Sequence, residues 1–143
     1  IDGLHQLAGS QKVYELHGSV LRNTCMHCHA HYDLEQTMAN RDEKGIPICP
    51  KCGHIIKPDV VLYEEGLDDE IVNSSIGYIS KADVLIVMGT SLTVYPASSF
   101  IRYFKGRYLV IINNDKTSYD GFADIVIHDK IGNVISKLDD LCF

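Results

Sequence analysis

Four thiols and one imidazole carry the chemistry that can be read from this chain. Cys25 and Cys28 form a C-x-x-C pair in "CMHC", and Cys49 and Cys52 repeat it in "CPKC" after the segment His29–Ile48. That spacing is the pattern of a zinc ribbon. Each knuckle sets two thiolates on one tight turn, and two facing knuckles complete a tetrahedron around Zn²⁺. Four thiolates fill the shell, so no position is left for water or substrate and the metal is expected to be structural. Two disulfides, or four unrelated thiols, are the competing readings; disulfides suit an oxidising compartment better than a chain in which no secretory signal is seen. His27, His29, His31 and His54 crowd the same segment and could replace a thiolate. Cys142 stands apart and reads as a small apolar residue near the C-terminus.

The imidazole is His17 in "VYELHGSV", eight residues before Cys25. With four thiols available it is not needed as a ligand. One reading is that it does chemistry of its own. The alternative is a histidine hydrogen-bonded within the core.

These groups need elements to position them. Val13–Leu16 reads as a short strand ending in His-Gly, and a short helix is expected to begin at Asp33 and end before Gly45. From Pro58 onward, apolar runs alternate with amphipathic stretches, the signature of βαβ units and a parallel sheet. "DVLIVMG" (Asp83–Gly89) is nearly continuous apolar sequence, as expected of a strand covered on both faces. "YLVIIN" (Tyr108–Asn113) and "ADIVI" (Ala123–Ile127) are two more strands. "PASSFIRYF" predicts a helix with Pro96 in its first turn, burying Phe100, Ile101 and Phe104 and stopping at Gly106. Ile131, Val134, Ile135, Leu138 and Leu141 recur at helical spacing and predict a face that closes the core.

Open parallel sheets bind ligands beyond the carboxyl ends of their strands. Two polar loops fall there. "GTSLTVYP" (Gly89–Pro96) can present backbone N–H groups and hydroxyls from Gly89, Thr90 and Ser91 to phosphate. "NNDKT" (Asn113–Thr117) offers amides suited to a ribose. Both are also ordinary turn sequences, and no complete G-x-G-x-x-G is present.

Composition narrows the class. A chain of 143 residues, 45% hydrophobic and 22% charged, is ordinary globular sequence. Thirteen Lys and Arg against nineteen Asp and Glu give a net charge of -6 without a basic run, which argues against nucleic acid. No apolar run approaches the ~20 residues needed to span a bilayer, so no membrane partner and a cytoplasmic location are expected. An acidic surface could still attract lysine-rich peptides.

Taken in order, "IDGLHQLAG", "ELHGS", the paired C-x-x-C ribbon, "KPDVVLYEE", "GTSLTVYPA", "IIN" and "ADIVI" resemble the sirtuins, NAD-dependent protein-lysine deacylases. The resemblance implies an α/β fold: part of a Rossmann-like parallel sheet (residues 1–20 and 58–143) with an inserted four-cysteine zinc-ribbon module (21–57). It implies roles as well. His17 matches the general base that takes a proton from the nicotinamide ribose, and Asp2 an acidic residue at the nicotinamide end of the pocket. Gly89, Thr90 and Ser91 match the NAD-binding loop, and Asn113 the asparagine that meets the adenosine ribose. Val60, Val61, Leu62 and Tyr63 match the segment on which the acyl-lysine peptide pairs as an added strand.

The implied reaction is acyl transfer to NAD: the acyl-lysine amide oxygen attacks the ribose anomeric carbon as nicotinamide departs, and His17 activates a ribose hydroxyl to accept the acyl group. Lysine, nicotinamide and O-acyl-ADP-ribose result. ADP-ribosyl transfer is a variant within the family, and a non-catalytic chain binding zinc and peptide is the alternative from another class. The sequence departs from the family at Tyr63-Glu64-Glu65, where Phe-Gly-Glu is usual, which places a carboxylate near the peptide cleft. It also starts inside a motif, without the family's glycine-rich first βα turn. The chain by itself is therefore expected to bind NAD poorly and to self-associate through an exposed sheet edge.

Overall fold

The protein is described by a computed structural model covering residues 1–142. It divides into two units, Ile1–Val72 and Asn73–Phe143, the division falling inside one helix.

In the first unit a short helix α1 (Leu4–Leu7) precedes strand β1 (Gly18–Cys25). β2 (His31–Asp33), α2 (Leu34–Ala39) and β3 (Ile56–Val60) follow. The sheet is antiparallel in the order β2-β1-β3. Asp33 starts α2 because its carboxylate accepts the Gln36 amide at 2.7 Å while the Gln36 side chain accepts the Asp33 amide at 3.1 Å, a reciprocal capping box. The helix expected from Asp33 is thus present, and it stops at Ala39, well short of Gly45.

The β1–β3 ladder is interrupted: Gly18 and Ser19 pair with Val60 and Asp59, the register slips, and Asn23–Cys25 then pair with Pro58–Ile56. Gly18 is obligatory where the strands first meet. Its φ is 75°, and a Cβ there would overlap the carbonyl oxygen of Asp59. The predicted strand at Val13–Leu16 does not form. That stretch is irregular, with a turn closed by the Gly18 amide on the Glu15 carbonyl at 2.9 Å, so His17 sits in a turn entering β1 rather than at the end of a strand.

Helix α3 (Asp69–Lys81) spans the division. In the second unit β4 (Val84–Met88), β5 (Tyr108–Ile112) and β6 (Ile125–Ile127) form a parallel sheet in that order, as the three apolar runs predict. Its buried hydrophobic residues, among those described, are Phe100, Ile101, Leu109, Ile111, Ile112 and Val134.

Three expectations fail in detail. Val84, Ile86 and Met88 are 39–51% exposed, alternating with half-buried Leu85 and Val87, so β4 is not covered on both faces by any described residue. Ala97–Tyr103 is 3₁₀ rather than α, although Phe100 and Ile101 are buried as predicted and Phe104 is half-buried. On α4 (Ile131–Cys142) only Val134 of the predicted apolar face is buried, while Ile131, Ile135, Leu138 and Leu141 are exposed. The side chain of Cys142 lies outside the described residues. No described helix is long and apolar enough to cross a membrane.

Candidate active site and metal centre

The two knuckles are built alike. In each, the first cysteine's amide donates to a carbonyl five residues on, Cys25 to Ala30 at 2.9 Å and Cys49 to His54 at 2.7 Å. The fourth residue after it returns an amide to its carbonyl, His29 to Cys25 at 3.2 Å and Gly53 to Cys49 at 2.8 Å. That returning residue takes a positive φ in both turns, 56° at His29 and 74° at Gly53.

Facing each other, the turns bring all four sulfurs within 4.8 Å of one another. The cross-knuckle pairs Cys25–Cys52 and Cys28–Cys49 are 3.4 and 3.6 Å apart. Tetrahedral zinc with bonds of about 2.3 Å separates its sulfurs by about 3.8 Å, so the cluster has the dimensions of a ZnS₄ site. All four thiols are free, against the disulfide reading.

The nearby histidines lie outside the sulfur cluster. His27 and His54 stack at 4.0 Å between ring centroids, His31 Nδ1 meets Thr24 Oγ1 at 3.1 Å, and none belongs to the sulfur cluster. Tyr32, which sequence reasoning missed, places its hydroxyl 3.0 Å from Cys49 Sγ. Burial raises the Cys49 thiol's pKa, but the Tyr32 hydroxyl and the Lys51 and Cys52 amides outweigh it and bring the thiol down to about 6. Cys52 goes the other way: the His54 amide lowers it, but burial and the three neighbouring thiols push it up to about 12. Without a cation, ionising some of these thiols therefore opposes ionising the rest.

In the same unit, Asp2 and His17 line one pocket of about 190 Å³, with His5, Gln6 and Glu15. Asp2 Oδ1 accepts the Leu4 amide at 2.9 Å and so opens α1. Glu15 is held by Arg22 at 2.8 Å. His5 and Gln6 were not singled out, although Asp2 and His5 are three residues apart in "IDGLH", close enough to share a helical turn. The carbonyl of His17 accepts the Val61 amide at 3.1 Å, tying the predicted base to the predicted peptide segment. Val60 ends β3, an edge of its sheet, and Val61–Tyr63 leave the strand, Tyr63 being 98% exposed.

In the second unit the two predicted nucleotide loops adjoin. The Gly89 amide donates to the Ile112 carbonyl at 3.0 Å, so Gly89 at the end of β4 and Asn113 at the end of β5 lie at neighbouring carboxyl ends. Gly89 has φ 64°, and a Cβ there would come within 2.8 Å of Ile131 Cδ1. Thr90 Oγ1 accepts the Leu92 amide at 3.1 Å, and Ser91 Oγ lies 2.7 Å from Thr93 Oγ1. A larger cavity of about 630 Å³ opens at the amino ends of β5 and β6 between Arg102, Arg107, Tyr119 and Phe122. It holds none of the predicted site residues, and Phe122 at 77% exposure leaves it an open cleft.

The Sir2 family model matches residues 1–96. An NAD-dependent protein deacetylase of Clostridium acetobutylicum is 62% identical over 96% of this chain and 56% of its own length. Its counterpart in Clostridium perfringens is 57% identical over 98% of this chain and 57% of its own length. The solved structure "Sir2-p53 peptide-NAD+" superposes with a TM-score of 0.88 at 34% identity, covering 98% of this chain and 59% of that one. The chain belongs to the Sir2 family, the sirtuins, and spans a little over half the length of these curated relatives.

Proposed function

We propose that this chain takes part in NAD-dependent deacylation of protein lysine, giving nicotinamide and O-acyl-ADP-ribose. The observation that carries the reading is the pocket shared by Asp2 and His17, with His17 tied through its own carbonyl to the Val61 amide. In this reading His17 holds a proton-accepting nitrogen toward the ribose hydroxyl, Asp2 lines the nicotinamide end, and Val60–Tyr63 receive the acyl-lysine peptide along an open sheet edge. Gly89, Thr90, Ser91 and Asn113 are assigned to NAD, which supplies when bound the ribose carbon that accepts the acyl oxygen. Cys25, Cys28, Cys49 and Cys52 are assigned to one structural Zn²⁺. The NAD-binding body is taken as residues 1–20 and 58–143 and the zinc module as 21–57. The slip in the β1–β3 register between Ser19 and Asn23 supports a boundary there. Thiols kept free for a metal suit a reducing compartment, the cytoplasm.

The test is nicotinamide release in the longest protein that the coding sequence specifies. Release should require both NAD and an acetylated peptide, and His17→Ala should slow it by ~10²–10⁴-fold with zinc content unchanged. Turnover that survives His17→Ala would return His17 to a structural role, and zinc and peptide binding without turnover would favour a non-catalytic chain.

A further inference from the structure

The loop after β5, Asn113–Thr117, is closed by hydrogen bonds that the reading above does not use. At its start, His128 Nδ1 lies 3.1 Å from the carbonyl oxygen of Asn113. At its end, Thr117 donates twice to Asp120 Oδ1, from its hydroxyl at 2.6 Å and its amide at 3.2 Å. His128 Nε2 joins the two ends, 3.1 Å from Asp120 Oδ2. Asn113 is held in addition by its amide on the Ile127 carbonyl at 3.1 Å and its Nδ2 on the Asp115 carbonyl at 2.8 Å.

Both partners of the ring are acceptors. A carbonyl has no proton to give, and the Asp120 carboxyl is held below the usual carboxylate range, first by the Thr117 hydroxyl and then, against the cost of burial, by the Thr117 amide and His128. A neutral imidazole donates from only one nitrogen, so only the imidazolium makes both bonds at once. The flanking Asp129 is engaged at the start of α4, accepting the Lys130 amide at 2.7 Å and Asn133 Nδ2 at 2.9 Å, with Lys137 Nζ at 3.9 Å. Asp120 is the charged side chain bonded to the ring.

We propose that His128 is a positioning residue for NAD: as the imidazolium it staples Asn113 to Asp120, fixes the loop between them and so sets affinity for the nucleotide. This rests on the assignment of Asn113 to the adenosine ribose. His128 touches no reacting atom. The neutral ring gives up one of the two bonds, so affinity falls when the ring loses its proton.

Calorimetric titration with NAD from about pH 5 to 8 tests this. The wild-type protein should bind about 2–10-fold more weakly at the upper end, the worth of one hydrogen bond. The protein carries other histidines, His17 among them, so the decisive comparison is between variants that all retain it. His128→Ala should bind weakly throughout and lose its share of the pH slope. In Asp120→Asn the new amide can donate to Nε2 of a neutral ring while its oxygen still accepts from Thr117, so the slope should flatten or reverse. The Thr117 amide should exchange with solvent faster in His128→Ala, a readout that needs no NAD. If Asn113→Ala weakens NAD binding while His128→Ala and Asp120→Asn keep the wild-type slope, or if Thr117 exchange is unchanged, the staple is wrong and the ribose assignment stands. If Asn113→Ala leaves affinity untouched, the ribose assignment fails and takes the inference with it.

Discussion

The two units are held together by different means. In Ile1–Val72 the buried hydrophobic residues are Cys25, Cys49 and Ile56, accompanied by buried Ser19, Asn23 and Thr37. In Asn73–Phe143 they are two 3₁₀ residues, Phe100 and Ile101, three residues of the central strand, and Val134. Two of the first unit's three apolar anchors are sulfurs of the metal cluster. A unit so short of hydrocarbon cannot offset chain entropy by burial alone, and a closed metal site supplies the difference. The second unit instead packs hydrocarbon side chains around its central strand.

The largest effect should come from taking the metal away. Apparent zinc-binding free energies in small structural sites are about 10–16 kcal/mol near neutral pH. Chelation, or Cys25→Ser, should therefore abolish hydrogen-exchange protection along β1 and β3 while β5 amides stay protected. Protection lost equally in both units, or retained in both, would erase the contrast. One equivalent of zinc should be found in the intact protein.

The reverse experiment strikes the second unit. Ile111 is fully buried in the central strand, and Ile111→Ala should cost about 2–5 kcal/mol there while zinc content is unchanged. Ile86→Ala on the neighbouring strand, where the side chain is 51% exposed, should cost clearly less. Equal losses would mean that the exposed face of β4 is packed in solution.

The same contrast separates what could be read from the sequence from what could not. The knuckles were legible because C-x-x-C geometry is local, and the strands at Val84, Tyr108 and Ile125 because a dense aliphatic run has few other solutions. Val13–Leu16 looked like a strand by composition, but a strand needs a ladder, and the stretch joins neither of the two described sheets. α4 has the apolar periodicity of a core helix, but periodicity marks a face without saying what meets it, and only Val134 found cover. The pocket of Asp2 and His17 was legible only through the family motifs, because its two residues come from separate segments. Tyr32 and His128 gave no signal, since the partner of Tyr32 lies seventeen residues away and those of His128 fifteen and eight.

A further test is at the junction at Gly18. Gly18→Ala forces a side chain into a left-handed backbone, worth about 1–2 kcal/mol, and against the Asp59 carbonyl besides. Since Gly18 pairs with Val60 while His17 holds Val61, the variant should lose peptide affinity together with stability. A Gly18→Ala protein of wild-type stability would show that the β1–β3 junction is looser than described.

The smallest effect concerns Glu64, where the chain departs from the family's Phe-Gly-Glu. The Glu65 amide donates to the Leu62 carbonyl at 3.1 Å, closing a β-turn whose third residue is Glu64 with φ 71°. Glycine is the residue that such a position favours. Glu65 keeps the turn in place whatever occupies position 64, because its carboxylate accepts the Leu62 amide at 2.8 Å and pairs with Lys57, whose ammonium also donates to the Val60 carbonyl at 2.9 Å. Glu64→Gly should relieve about 1–2 kcal/mol of left-handed strain and lose about 0.5–1 kcal/mol to glycine's extra freedom when unfolded. A net gain of up to about 1.5 kcal/mol is expected in denaturant titration. The carboxylate it removes lies beside the proposed peptide segment, where an exposed ion pair to a basic substrate residue is worth at most about 1 kcal/mol. Glu64→Gly should therefore be slightly more stable and, by about fivefold or less, worse at distinguishing acyl-lysine peptides flanked by Lys or Arg from neutral ones. Lower stability would mean that Glu64 makes a contact offsetting its strain, and unchanged discrimination would mean that its carboxylate faces away from the peptide.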